Sequence, residues 1–132
     1  MLRKRSSSSV EVMSIDRDRL LRELKSIAEQ IGSNDPTVCE VRLYGSLLTE
    51  NFSPHSDLDL LILVSTSEQG FLQRSDSYRD YFLHLSLDTD IKVYTLQEVE
   101  EMKEQGNPLL SEIEEKGRLL YSRSELSSTF ST

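Results

Sequence analysis

At 132 residues the chain has the length of one domain able to bury a sizeable core. Its 36% hydrophobic and 29% charged content suits a soluble globular protein, and the longest apolar run, Leu60–Val64, is far too short to cross a bilayer. The net charge is −8 although Arg3, Lys4 and Arg5 supply three of the 15 basic residues, so the rest of the chain opposes non-specific binding to nucleic acid.

The single cysteine, Cys39, excludes an internal disulfide framework and a multi-cysteine zinc site; its setting in "TVCEV" marks a buried strand residue. In "MLRKRSSSSVEV" serines follow the basic residues where a leader needs an apolar segment, so a cytoplasmic location is expected. Residues 1–13 are expected to form a flexible arm, residues 14–122 the folded domain and residues 123–132 a flexible tail.

Along the domain, Ser14 or Asp16 can cap a helix carrying Leu20, Leu24, Ile27, Ala28 and Ile31 on one stripe, with Gly32 as its stop. "SNDP" predicts a turn, and Val38–Tyr44 a strand that Gly45-Ser46 breaks. Leu47–Glu50 predicts one helical turn and "NFSPHS" a loop. Leu58–Val64 is apolar throughout after Asp59, the pattern of a central strand buried on both faces. A helix is expected over roughly 68–85, then a strand over Asp90–Tyr94. Thr95 with Glu98 three residues on is a capping-box pattern for a helix to about Glu104. Asn107-Pro108 opens a further helix that Gly117 ends, and "RLLY" can form an edge strand. The expected fold is a small α/β layer without repeats.

The chemistry concentrates in "YGSLLTENFSPHSDLDLLIL". Asp57 and Asp59 stand two apart on extended chain and so share a face. Converging carboxylates are hard oxygen ligands suited to Mg²⁺ or Mn²⁺, and a cation relieves their repulsion. Gly45-Ser46, between a strand end and a helical turn, offers close backbone approach, free N–H groups and a hydroxyl for phosphate. Taken singly, each feature is a turn, a cap or a solvent-facing charge; the combination at this separation is not.

Gly45-Ser46, ten residues and then Asp57-Leu58-Asp59 resemble the signature of the DNA polymerase beta-like nucleotidyltransferases, in particular their minimal members. The blocks "PHSDLDLLI", "DIKVYT" and "EIEEKGRLLY" are similar to those of small nucleotidyltransferase-domain proteins, and the resemblance covers about residues 38–121. It implies an α/β fold of the polymerase beta-like type, a small mixed sheet of three to four strands flanked by helices. It also implies a third carboxylate on a neighbouring strand. Asp88 and Asp90 are the candidates, and Asp90 with Thr95 five residues later matches the family spacing. By resemblance Asp57, Asp59 and Asp90 bind two Mg²⁺ ions, with Mn²⁺ as the substitute, Asp90 helps deprotonate the acceptor, and Gly45 and Ser46 bind the nucleotide.

The implied activity is transfer of a nucleoside monophosphate, AMP from ATP, to a hydroxyl acceptor on a partner protein. Minimal relatives pair with small helical HEPN-type proteins, some as toxin and antitoxin. The alternative is therefore an antitoxin-like partner that acts by binding; a homo-oligomer is left open. One departure stands out: where many minimal members carry a small residue and an arginine after Gly-Ser, this chain has Leu47, Leu48, Thr49 and Glu50. Lys92, on Asp90's face by parity, is read as a solvated strand lysine, with substitution for that arginine as the alternative. His55 is read as a loop residue, with base or phosphate contact as the alternative.

Overall fold

A computed structural model describes residues 9–45, 57–85 and 87–123, and the fold grows outward from its most apolar strand. The chain order is α1 (Ser9–Asn34), β1 (Val38–Tyr44), β2 (Leu58–Val64), α2 (Phe71–Arg74), α3 (Asp76–Arg79), β3 (Thr89–Thr95), α4 (Leu96–Glu104), α5 (Pro108–Lys116) and β4 (Arg118–Ser122). The sheet has strand order β3-β2-β1-β4. β2 runs antiparallel to β1 and parallel to β3, and β1 runs antiparallel to β4, so the sheet is mixed and β2 is interior.

Side-chain alternation in β2 explains the layering. Leu58, Leu60, Ile62 and Val64 join Leu24, Ile27, Ala28 and Ile31 of α1, with Tyr78 and Phe82, in one core. Leu61 and Leu63 point the other way and join Val99 of α4 with Leu110 and Ile113 of α5. Two helical layers therefore cover the two faces, which is why the strand carries an unbroken apolar run. Only Asp59 interrupts it, one residue into the strand and half-buried.

Local sequence decides most element ends. Thr95 and Glu98 form the capping box of α4, with Glu98 N–H donating to Thr95 Oγ1 at 3.2 Å and Thr95 N–H donating to Glu98 Oε1 at 2.9 Å. Asn107 caps α5 by accepting from Leu109 N–H, and Pro108 fills the first helical position. The "SNDP" turn is a polar knot: Asp35 accepts from Thr37 N–H and Oγ1 on one oxygen and from Tyr78 Oη on the other, while Arg123 donates to the carbonyls of Gly32, Asp35 and Val38.

Three expectations change. α1 begins at Ser9, inside the segment expected as an arm, because extending an existing helix costs little compared with starting one. It also continues past Gly32 to Asn34. A Cβ at Gly32 would overlap the Tyr121 ring, so that glycine serves packing against β4 rather than termination. The single helix expected over 68–85 is broken into α2, α3 and a 3₁₀ turn at Asp80–Phe82, since Gly70 rather than the "STSE" segment starts it and its apolar stripe is loose. The helical turn expected at Leu47–Glu50 lies outside the described residues. Among the described residues no helix is long and apolar enough to cross a membrane.

Arg74 ties these pieces to the strand that carries Asp90. It is buried, donates to the carbonyls of Gln69 and Val93, and makes a bidentate pair with Glu98 at 2.7 and 3.1 Å. Arg74 first, together with the Thr95 cap, holds the Glu98 carboxyl below its ordinary value of 4.5 despite partial burial. Arg74→Met is expected to cost about 2–3 kcal/mol in urea denaturation at pH 7, less than a wholly buried pair because the Glu98 side chain is 35% exposed. A lowered folded-state pKa gives stability present above 4.5 and lost as pH falls through the lowered value. The gap between wild type and Arg74→Met should therefore narrow in denaturation repeated near pH 3.

Candidate active site

The three strands meet in register at one row: Tyr44 of β1 pairs with Asp59 of β2, and Asp59 pairs with Asp90 of β3. Directly paired residues share a face, so the Tyr44, Asp59 and Asp90 side chains emerge together on the α4/α5 side of the sheet. Asp57 precedes β2 and is exposed; Asp90 is exposed and Asp59 half-buried. Asp88 stands outside the row, at the entrance to β3, where its carbonyl accepts from Leu58 N–H at 2.8 Å.

Electrostatics match this geometry. The Asp59 carboxyl is pushed above its ordinary value of 3.8, first by burial and then by the negative charge of Asp90, with Lys92 opposing and Asp57 and Glu112 adding to the rise. Lys92, one pleat further along β3, donates to Asp90 Oδ2 at 2.9 Å. Burial disfavours its charge, but Asp90 and Tyr44 outweigh that and hold the ammonium above its ordinary range. The reading of Lys92 as a solvated strand lysine is corrected: an acidic neighbour on the same face captures it.

Gly45 closes the other wall. Its φ of +91° lies in the left-handed region, and a Cβ built there would overlap Asp59 Oδ2. Only glycine therefore lets the β1 end and the Asp59 carboxylate stand this close. Tyr44 Oη is buried and has no hydrogen-bond partner of good geometry, although Lys92 is near enough to act on it. Burial first raises the Tyr44 phenol, and Lys92 works against that rise. Ser46, the other nucleotide-binding candidate, and His55 lie outside the described residues.

These residues fit a hard divalent cation by donor chemistry. Asp59 and Asp90 stand side by side with the charge of Asp57 acting on Asp59, and the most enclosed of the three is the one whose ionisation the site opposes. Among the described residues they are not drawn into a ready-made metal cluster, as expected where like charges repel and Asp90 is engaged by Lys92. A cavity of about 320 Å³ at the far end of β2, lined by Val64, Arg74, Tyr78 and Val93, is separate from this row.

Sequence reasoning missed the unpartnered Tyr44 hydroxyl, the influence of Glu112 and the buried Glu40–Arg42 pair at 3.0 Å on β1. The signals were present as the tyrosine before Gly45 and the alternating charges of "CEVRLY", but only strand register shows where they point.

Comparison with known proteins agrees with this frame. The sequence matches the family described as Polymerase beta, Nucleotidyltransferase over residues 25–126. No curated protein matches it. Among solved structures, a Sulfolobus solfataricus protein with a provisional nucleotidyltransferase assignment superposes with a TM-score of 0.58 at 19% identity, over 86% of this chain and 89% of that one. A toxin–antitoxin with AMP-PNP gives 0.56 at 18% identity over 78% and 75%. A variant of the toxin–antitoxin MntA-HpeT gives 0.51 at 13% identity over 83% and 75%.

Proposed function

Because this chain belongs to the polymerase beta nucleotidyltransferase family, we propose that it transfers a nucleoside monophosphate, AMP from ATP, to a hydroxyl on a partner protein. The observation that carries this reading is the in-register pair Asp59–Asp90, open to solvent at the end of a buried strand, with Gly45 pressed against it. Asp57, Asp59 and Asp90 would hold Mg²⁺. Bound there, the ions supply charge to the triphosphate and favour ionisation of the attacking hydroxyl.

The chain's own residues set up the rest. The bare Cα of Gly45 lets the Asp59 carboxylate stand against the end of β1, where a side chain would push it away. Asp90 takes the proton of the acceptor hydroxyl as its oxygen bonds to the α-phosphorus. The bond from that phosphorus to the β-bridging oxygen breaks, and pyrophosphate leaves. The α4/α5 layer buries Leu61 and Leu63 on the same face of β2 as Asp59, so the carboxylate row stands at the edge of an apolar layer.

The partner assignment is supported by the toxin–antitoxin assemblies among the structural neighbours. The same observation favours a second reading, an antitoxin-like protein that neutralises a small HEPN-type partner by binding alone. Incubation of the full chain with α-labelled ATP, Mg²⁺ and the small protein that co-purifies from its native host tests both. Label and a mass gain of one AMP on that protein are expected. Stable binding without label, unaffected by Asp57→Asn plus Asp59→Asn, favours the second reading and overturns the first.

A further inference from the structure

The row of Tyr44, Asp59 and Asp90 crosses three strands and ends at β3, the outer strand of the sheet on that side. The backbone of β3 decides what can lie beyond it. In a parallel ladder each residue turns both of its peptide groups to one side, and successive residues alternate. Leu58 N–H donates to Asp88 O, so Asp88, Asp90 and Lys92 turn theirs toward β2, while Thr89, Ile91, Val93 and Thr95 turn theirs outward. In the second half of β3 the outward groups are taken: Val93 O accepts from Arg74, and Thr95 N–H donates to Glu98. Among the described residues Thr89 and Ile91 make no hydrogen bond on that side. The fold thus caps one half of this sheet edge and leaves open the half that flanks Asp90. An open edge is a template for another strand.

We propose that the β3 edge at Thr89 and Ile91 is the acceptor-docking site: an extended segment of the partner protein adds there as an outer strand and places a hydroxyl side chain opposite Asp90. The inference rests on the nucleotidyl-transfer reading of this same site and names how the acceptor is held. An added strand lies about 4.8 Å beyond β3, and directly opposite residues share a face. The residue opposite Asp90 therefore extends the row by one place and sets its hydroxyl beside a carboxylate whose side chain is 51% exposed. Its own peptide groups point away from β3, and its two neighbours bond to Thr89 and Ile91. The hydroxyl proton passes to Asp90, the oxygen bonds to the α-phosphorus of the nucleotide, and pyrophosphate leaves. Charge favours a basic segment. Asp88 is exposed and by parity on the face of Asp90, so it lies opposite a residue two places from the hydroxyl, in a chain of net charge −8.

The test uses the full chain, α-labelled ATP, Mg²⁺ and short valine-rich peptides with one central serine or tyrosine and a lysine two places to either side. Label on the central hydroxyl is expected. N-methylation of the two residues next to the hydroxyl residue removes the N–H groups that face β3 and should lower labelling about tenfold, the size expected for two neutral hydrogen bonds. N-methylation of the hydroxyl residue itself, whose N–H points away, should leave labelling within about twofold. Thr89→Pro removes one outward N–H at a strand-start position where proline is tolerated. It should lower labelling of the unmodified peptide about threefold, with melting temperature and binding of a non-hydrolysable ATP analogue unchanged. Equal labelling of the two methylated peptides overturns strand addition and leaves the nucleotidyl-transfer reading standing. So does absence of label on every peptide from a chain that binds the analogue, or a dimer of the chain alone that Thr89→Pro separates. A chain that neither binds the analogue nor transfers label overturns the nucleotidyl-transfer reading itself.

Discussion

Asp59→Asn is expected to stop nucleotidyl transfer while raising the melting temperature of the protein measured in EDTA. Asp59 is half-buried, and burial followed by the charge of Asp90 lifts its carboxyl above 3.8. The folded state therefore holds the Asp59 proton more tightly than the unfolded chain does. That contribution is fully present below 3.8 and is lost as pH rises through the raised value, so at neutral pH the ionised carboxylate works against folding. Asparagine keeps the shape and removes the charge. The same change removes the negative charge and one oxygen of the most enclosed of the three proposed ligands, and charge stabilisation at a transferring phosphoryl group is worth several kcal/mol, about 10³-fold in rate. Transfer of α-label and a thermal melt on the same preparation check both halves. Mg²⁺ should raise the melting temperature of wild type and leave that of Asp59→Asn unchanged.

Gly45→Ala is expected to damage the site far more than the fold, and Gly106→Ala provides the control. Both glycines have positive φ, +91° and +70°, so an alanine at either adds roughly 1–2 kcal/mol of backbone strain. Gly106 follows α4, where its N–H donates to Lys103 O and the next N–H donates to Met102 O; a Cβ there meets nothing within 4 Å. At Gly45 the Cβ overlaps Asp59 Oδ2, and either the carboxylate or the end of β1 must shift. Displacement on the scale of 1 Å at reacting groups costs about 10²-fold in rate. Gly45→Ala should therefore lose about two orders of magnitude in transfer, while Gly106→Ala keeps full activity at a similar loss of stability in urea. Equal activity in the two variants would show that Gly45 is only a turn residue.

Both predictions depend on features that were unequally legible in the sequence. β1 and β2 occupy the expected positions because apolar runs ended by Gly45 and by Asp57 leave little choice of boundary. The caps at Thr95 and Asn107 act through hydrogen bonds within four residues, and such short-range chemistry can be seen in sequence. The region after β2 was harder: "STSEQGFLQRSDSYRDYF" carries apolar residues at loosely helical steps, but Arg74 turns inward to Glu98 and the Val93 carbonyl, contacts made far along the chain. Gly32 looked like a helix stop because nothing local reveals that Tyr121 will lie over it.

The site shows the same division. Parity placed Asp57 with Asp59 and Asp90 with Lys92, and family resemblance linked the two pairs. That Asp59 and Asp90 stand directly opposite each other, with Tyr44 as the third member of the row, follows from the register of three strands and from no single segment. Lys92 was misjudged for the same reason. A lysine on an edge strand is ordinarily solvated, and its capture depends on an acidic partner two residues away having no better cation.

The account stands on Asp57 and Asp59 holding a divalent ion that in turn holds the triphosphate. Calorimetric titration of the full chain with a non-hydrolysable ATP analogue, in Mg²⁺ and again in EDTA, with wild type and with Asp57→Asn plus Asp59→Asn, measures this directly. Binding by wild type in Mg²⁺ alone, lost in EDTA and lost in the double variant, is the predicted result. Equal binding in EDTA, or by the double variant, would contradict it.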